Sequence, residues 1–266
     1  MHNLDSDARI TSLRETLTLD PPGHPDRSHS LMSLANALFT RFEQFGRMED
    51  LEDAISSHRE ALTLRPCGHP DRSRSLDNFA NALSARFEQL GKMEDLEEAI
   101  SSHREALTLR PCGHPNRSDS LMNLANDLFT RFEQLGRMED MEDGISLHRE
   151  ALILCPCGHP DRSDALMNLA NDLFTRFEQL GKMEDLEDVI SFHRESLTLC
   201  PPGHPNRSRS LNNLATALST RFKHLGRMED LEDAISSHHE ALFLRPPGHP
   251  DRSRSEEQTS ELQSLV

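Results

Sequence analysis

GHPDRSHSLMSLANALFTRFEQFGRMEDLEDAISSHREALTLRPC, residues 23–67, is the stretch that decides the fold. Its Gly-His-Pro opening returns at Gly68, Gly113, Gly158, Gly203 and Gly248, each 45 residues after the last and with no insertion. A fixed period of about 20–50 residues marks a solenoid, whose units bury their apolar faces only against neighbours. Within the unit, Leu31, Leu34, Leu38, Phe42 and Phe45 step by three or four residues, which gathers them on one helix face. Pro25 suits a first helical turn, where its missing N–H costs nothing, and Asp26 complements the helix dipole. Gly46 follows the last apolar residue as a left-handed cap would. A first helix is therefore predicted over residues 25–45. A second, helix B of the unit, starts near Met48 on the acidic run Glu49, Asp50, Glu52 and Asp53. Its stripe is Leu51, Ala54, Ile55, His58, Ala61 and Leu62, and it ends before Pro66. Nothing alternates with period two, so the chain reads as all-α.

Residues 5–20 align with the second helix: Ile10, Leu13, Leu17 and Leu19 match Ile55, His58, Leu62 and Leu64. An array over residues 5–253 thus opens on a half-repeat at 5–22 and continues in five repeats beginning at 23, 68, 113, 158 and 203. Eleven helices are expected.

Composition narrows the function. The 266 residues include 29 basic and 45 acidic ones, a net charge of −16, with 35 % apolar residues and no Trp or Tyr. A nucleic-acid reader needs a basic stripe to displace counterions from phosphate, and this balance disfavours one. No apolar run nears the ~20 residues of a membrane helix, and Met1 to Asp5 lacks a secretory apolar core. Five Cys in such a chain read as reduced intracellular thiols, and the expected location is cytoplasmic.

Leu31, Leu34, Ala35 and Leu38, followed by Ala54, Ala61 and Pro66, resemble the tetratricopeptide repeat. GHPNRSRSLNNLATAL, Gly203 to Leu218, is similar to the kinesin-light-chain type of that family. Near-identical arrays of this kind resemble those of fungal proteins that carry a caspase-like CHAT domain or a nucleotide-binding domain. The period departs from the family's usual 34 residues. The helix-B aromatic expected of the family is His58, His103, His148, His193 and His238. The resemblance implies an α-solenoid of antiparallel helix pairs, wound as a right-handed superhelix whose first helices line a concave groove.

In that groove the resemblance gives the ladder Asn36, Asn81, Asn126 and Asn171 (Thr216 in the last unit) the task of hydrogen-bonding an extended peptide. An amide both donates and accepts, so it can hold a peptide group at either end. Phe39, Phe129 and Phe174 lie one turn on and offer apolar pockets; Ser84 and Ser219 stand at the same place elsewhere. Asn78, Asn123, Asn168 and Asn213 precede the ladder by three residues, and the two sets are expected to neighbour each other along one helix. The competing reading is that these amides only bond adjacent helices. Arg41, Arg86, Arg131, Arg176 and Arg221 form a further column, expected as solvated ion pairs rather than a carboxylate clamp. The His of each Gly-His-Pro is read as a cap for backbone N–H groups, and the helix-B His as core residues with one hydrogen bond. Cys155, Cys157 and His159 have ligand-like density, yet zinc wants four ligands at wider spacing, and no metal is assigned.

No nucleophile–base pocket, phosphate loop or dinucleotide fingerprint is present, so neither catalysis nor a cofactor is expected. The leading reading is a non-catalytic protein-interaction scaffold that binds an extended peptide or a partner helix. The alternative is a regulatory repeat fragment of a larger protein with a CHAT peptidase or nucleotide-binding domain. Five acidic helix starts favour a basic protein or peptide partner, with no nucleic acid and no membrane. End-to-end self-association through open array ends is a further expectation. Residues 254–266 break the repeat and resemble the peptide of a sequencing-adapter read, with Gln258 in place of His; the chain reads as a piece of a longer array.

Overall fold

The computed structural model describes residues 2–204 and 206–245, and the side chains from residue 6 onward. Among them are eleven helices and no strand. The lone opening helix is α1 (His2–Leu19). First helices of the pairs are α2 (Arg27–Phe45), α4 (Arg72–Leu90), α6 (Arg117–Leu135), α8 (Arg162–Leu180) and α10 (Arg207–Leu225). Second helices are α3 (Met48–Thr63), α5 (Met93–Thr108), α7 (Met138–Leu154), α9 (Met183–Leu199) and α11 (Met228–Leu244). The tail and the last Gly-His-Pro, with His249, lie outside the described residues. The chain falls into two units, residues 1–136 and 137–266.

In the first unit, Leu31, Leu34, Ala35 and Leu38 of α2 are buried, as are Leu51, Ala54, Ile55, His58 and Ala61 of α3. Ala35, Ala54 and Ala61 are fully covered, and their small side chains let the facing leucines close on them. Ile10 of α1 packs with Leu34, Leu38 and Ala54, while Ile55 joins Phe79, Leu83 and Ala99 one repeat later. The half-repeat thus supplies to α2 what α3 supplies to α4. Each fully buried leucine contributes roughly 2 kcal/mol of transfer free energy. In the second unit Leu166, Leu169 and Leu173 of α8 and Leu186, Val189 and Ile190 of α9 form the same kind of face.

Two expectations are corrected. The first helix begins at Arg27, not residue 25: Pro25 and Asp26 form a turn before it, and the Asp26 side chain makes no capping bond. Instead His24 Nδ1 accepts the Asp26 N–H at 3.3 Å, and His69, His114, His159 and His204 do the same for the residue two places on. The apolar face also ends at Phe42. Phe45 is 41 % exposed, and the Arg47 guanidinium sits 5.7 Å from its ring centre. Beyond it Gly46 takes φ +66°, where a side chain would be strained, and its N–H returns to Phe42 O at 2.7 Å.

Candidate functional site

The first helices leave part of one face uncovered, and the two asparagine sets lie there. Asn36, Asn126 and Asn171 are exposed; Asn81, Asn78, Asn123, Asn168 and Asn213 are half-buried. The sets meet across neighbouring helices rather than along one helix: Asn78 Nδ2 donates to Asn36 Oδ1 at 2.9 Å, and Asn213 Nδ2 to Asn171 Oδ1 at 3.2 Å. A residue on one first helix and its counterpart 42 positions later are therefore nearer as bonding partners than two residues one turn apart. Between Asn81 and Asn123 no such bond forms, and the Asn81 and Asn126 amides have no hydrogen-bonding partner among the described residues.

These side chains line three open hollows. One of about 230 Å³ is bounded by Asn36, Phe39, Thr40, His58, Asn78 and Asn81. The next, about 260 Å³, is bounded by Phe39, Asn81, Ser84, Asn123, Asn126 and Asp127 among others. In the second unit Asn171, Phe174, His193, Asn212, Asn213 and Thr216 line about 200 Å³. Phe39 and Phe174 are thus walls. Their rings are half-buried and lean on Phe42 and Phe177, and Phe129 rests on Phe132 in the same way, with ring centres 6.1–6.3 Å apart.

Beneath the hollows lies the helix-B histidine ladder, each member at most 2 % exposed. Its partners differ by unit. His58 Nδ1 meets the Met32 sulfur at 3.4 Å, His103 Nδ1 bonds Asp77 Oδ1 at 3.2 Å, and His148 Nδ1 bonds Asp172. His193 and His238 leave Nδ1 without a partner. Burial holds His58 neutral, with the Arg65 charge adding to it, and moves its pKa to about 4; burial alone does the same to His193.

Three buried aspartates escaped the sequence reading. Asp77 stands where Met32 and Met167 do, and Asp127 and Asp172 stand where Ala37, Ala82 and Ala217 do. Asp77 is held by His103, the Arg110 guanidinium and the Ser120 hydroxyl. Asp127 Oδ1 accepts the Ser84 hydroxyl at 2.8 Å, while its Oδ2 has no hydrogen-bonding partner. Burial pushes the Asp127 pKa up to about 6 and raises that of Asp172. The signal was available as a break in an otherwise copied unit: a carboxylate at a position that other copies fill with alanine or methionine.

The arginine column is not solvated. Arg86 forks onto Asp95, with Nε to Oδ2 at 2.8 Å and Nη2 to Oδ1 at 2.6 Å, and reaches Glu52 at 2.7 Å. Arg41, Arg176 and Arg221 repeat the fork onto Asp50, Asp185 and Asp230, and Arg131 pairs with Glu97. These guanidiniums are largely buried and engaged inside the array, so they are structural. A second, unforeseen column is Arg72, whose Nη1 donates to Arg65 O at 2.6 Å and whose Nε meets Glu105; Arg27, Arg162 and Arg207 do likewise. Cys155 is buried and Cys157 exposed, and no group of His, Cys, Asp or Glu among the described residues is spaced to hold a metal. No described helix is long and apolar enough to cross a membrane.

Comparison with known proteins bears on these helix pairs. The tetratricopeptide-repeat family model matches residues 73–107 and 208–251. Among solved structures, the Podosopora anserina kinesin light chain with nearly identical repeats aligns at 18 % identity over 82 % of this chain and 98 % of its own, with a TM-score of 0.57. BtubC (BKLC) from P. vanneervenii aligns at 16 % identity over 90 % and 87 %, with 0.55. A human IFIT1 dimer with PPP-AAAA aligns at 12 % over 89 % and 47 %, with 0.58. At these identities the likeness is one of fold. No curated protein sequence matches the chain.

Proposed function

We propose that this chain, whose residues 73–107 and 208–251 match the tetratricopeptide-repeat model and whose helix pairs share the fold of such arrays, is a protein-interaction scaffold that binds an extended peptide along the asparagine-lined face of the first helices within residues 1–136. One observation carries the reading: Asn81 and Asn126 present amides with no partner among the described residues at the edge of an open hollow of about 260 Å³. An amide at such a place can donate to a peptide carbonyl and accept from a peptide N–H. The Phe39 ring beside them offers an apolar wall for a side chain. Asn36 spends one acceptor position on the neighbouring helix and keeps its NH₂ group, so it serves the same strip more weakly; Asn171 is bonded alike within the second unit.

The test uses a peptide selected from a displayed random library on the whole chain. Asn81→Ala with Asn126→Ala is expected to weaken that peptide roughly tenfold, since each net hydrogen bond is worth about 0.5–1.5 kcal/mol. Helicity by circular dichroism stays unchanged, because neither amide supports the core. Unchanged affinity overturns the proposal.

A further inference from the structure

We infer that the hollow between α2, α4 and α6 is a pocket for the cationic side chain, lysine or arginine, of a bound extended peptide. The inference rests on the groove reading above and names the residue class that the groove selects. At the floor stands Asp127, 6 % exposed, with Oδ1 taken by Ser84 and Oδ2 without a hydrogen-bonding partner. His103 Nε2 lies 3.5 Å from that oxygen without making a hydrogen bond, and its other nitrogen bonds Asp77. A buried carboxylate lacking a full counterion is costly, and a group that restores one gains that cost back on binding. The raised pKa of Asp127, about 6, reports the same deficit.

The walls fit a long basic side chain rather than a bare metal ion. Phe39 and Ala85 give an apolar flank for a methylene stem. Glu43 and Glu88, both exposed, stand at the mouth, where they favour approach of a cation. Only one carboxylate reaches the floor, too few for a hard divalent ion. Asn81 and Asn126 flank the opening, where the peptide backbone would run. The molecule supplies its own contrast: neither of the other two hollows is lined by a carboxylate, and the place of Asp127 is taken there by Ala82 and Ala217. An aspartate at this place belongs to two copies rather than to the repeat, and of the two Asp172 is bonded by His148.

Peptides selected on the whole chain from a displayed random library provide the probe. One position is expected to be dominated by Lys or Arg. Replacing that residue by norleucine should weaken binding at least tenfold on the unaltered chain and less than twofold on Asp127→Ala. That variant keeps the fold, because alanine is the residue that three other copies carry at this place, as Ala37, Ala82 and Ala217. If norleucine costs the same on both chains while Asn81→Ala with Asn126→Ala still weakens the peptides, the pocket is overturned and the groove stands. If no peptide is selected, or the selected peptides ignore both asparagines, the groove falls and the pocket with it.

Discussion

A buried imidazole and a buried carboxyl respond to pH in opposite senses, and this chain carries both. In the unfolded chain each imidazole takes a proton near pH 6.5; in the folded chain His58, His193 and His238 wait until about 4. Each therefore leaves stability intact above pH 6.5 and removes it as the pH falls towards 4, because the unfolded state then binds more protons. Asp127 runs the other way: its contribution is full below 3.8 and is lost as the pH rises through about 6. Burial raises the pKa of Asp172 in the same sense, but three histidines outnumber the two aspartates, so acid weakens the fold. His193 isolates the effect, since burial alone shifts it and its Nδ1 has no partner. His193→Phe, which installs the aromatic of the family pattern, should raise stability by about 1 kcal/mol at pH 7 by removing an unsatisfied atom. The hollow of about 200 Å³ that His193 lines gives the larger ring room. The advantage should grow by about 2 kcal/mol between pH 6.5 and 4.5, as read from denaturant midpoints. A difference that stays flat with pH would show that His193 is not held neutral. The sequence disclosed this ladder as buried, since His58 falls on the apolar stripe of its helix. It could not disclose the partners, which sit 24–26 residues away on other helices and differ from copy to copy.

The helices and their links show where local signals suffice. Gly46 announces its cap because only one residue type adopts φ +66° without strain. Pro25 misled by two residues, since a proline that suits a first turn suits the turn before it equally well. The column of Arg86 shows the limit of pattern reading more fully. Its spacing from an acidic run implied an ion pair, but burial depends on three helices at once. Arg86 of α4 forks onto Asp95 of α5 and reaches Glu52 of α3. Those contacts raise its pKa, the Asp95 hydrogen bond first. Asp95 is 5 % exposed, whereas the Glu52 side chain is 49 % exposed, so the two halves of the network differ in worth. Removing the guanidinium strands a buried carboxylate, and Arg86→Ala should cost about 3–5 kcal/mol. Glu52→Gln touches a pair open to solvent and should cost less than about 1 kcal/mol. Chemical denaturation of the two variants decides it; equal costs would mean that the Asp95 fork contributes no more than a surface pair.

Over the whole chain, repetition turns one unit's chemistry into a bulk property. The charge of −16 is largely one acidic helix start, Met-Glu-Asp, copied five times, and the scarcity of aromatics follows from a core of leucine and alanine. Repetition also hid what is particular. The step from residue 136 to 137 divides the two units, yet LGRMED at 135–140 recurs unchanged at 225–230, so no local sequence marks it. Within residues 1–136 each helix packs on the helices before and after it in the chain, and successive first helices touch. Stability in such an arrangement is a sum of unit and neighbour terms, so a lesion stays near its origin. Leu96 of α5 is fully buried, and α5 packs on α4 and α6. Leu96→Ala should cost about 2–5 kcal/mol there. By native-state hydrogen exchange, amides of α4, α5 and α6 should then exchange faster, while those around Ile10 in α1 keep their rates. Uniform acceleration from α1 to α6 would instead mean that residues 1–136 open as one body. The packing of each helix on its neighbours alone would then not describe how the unit is held together.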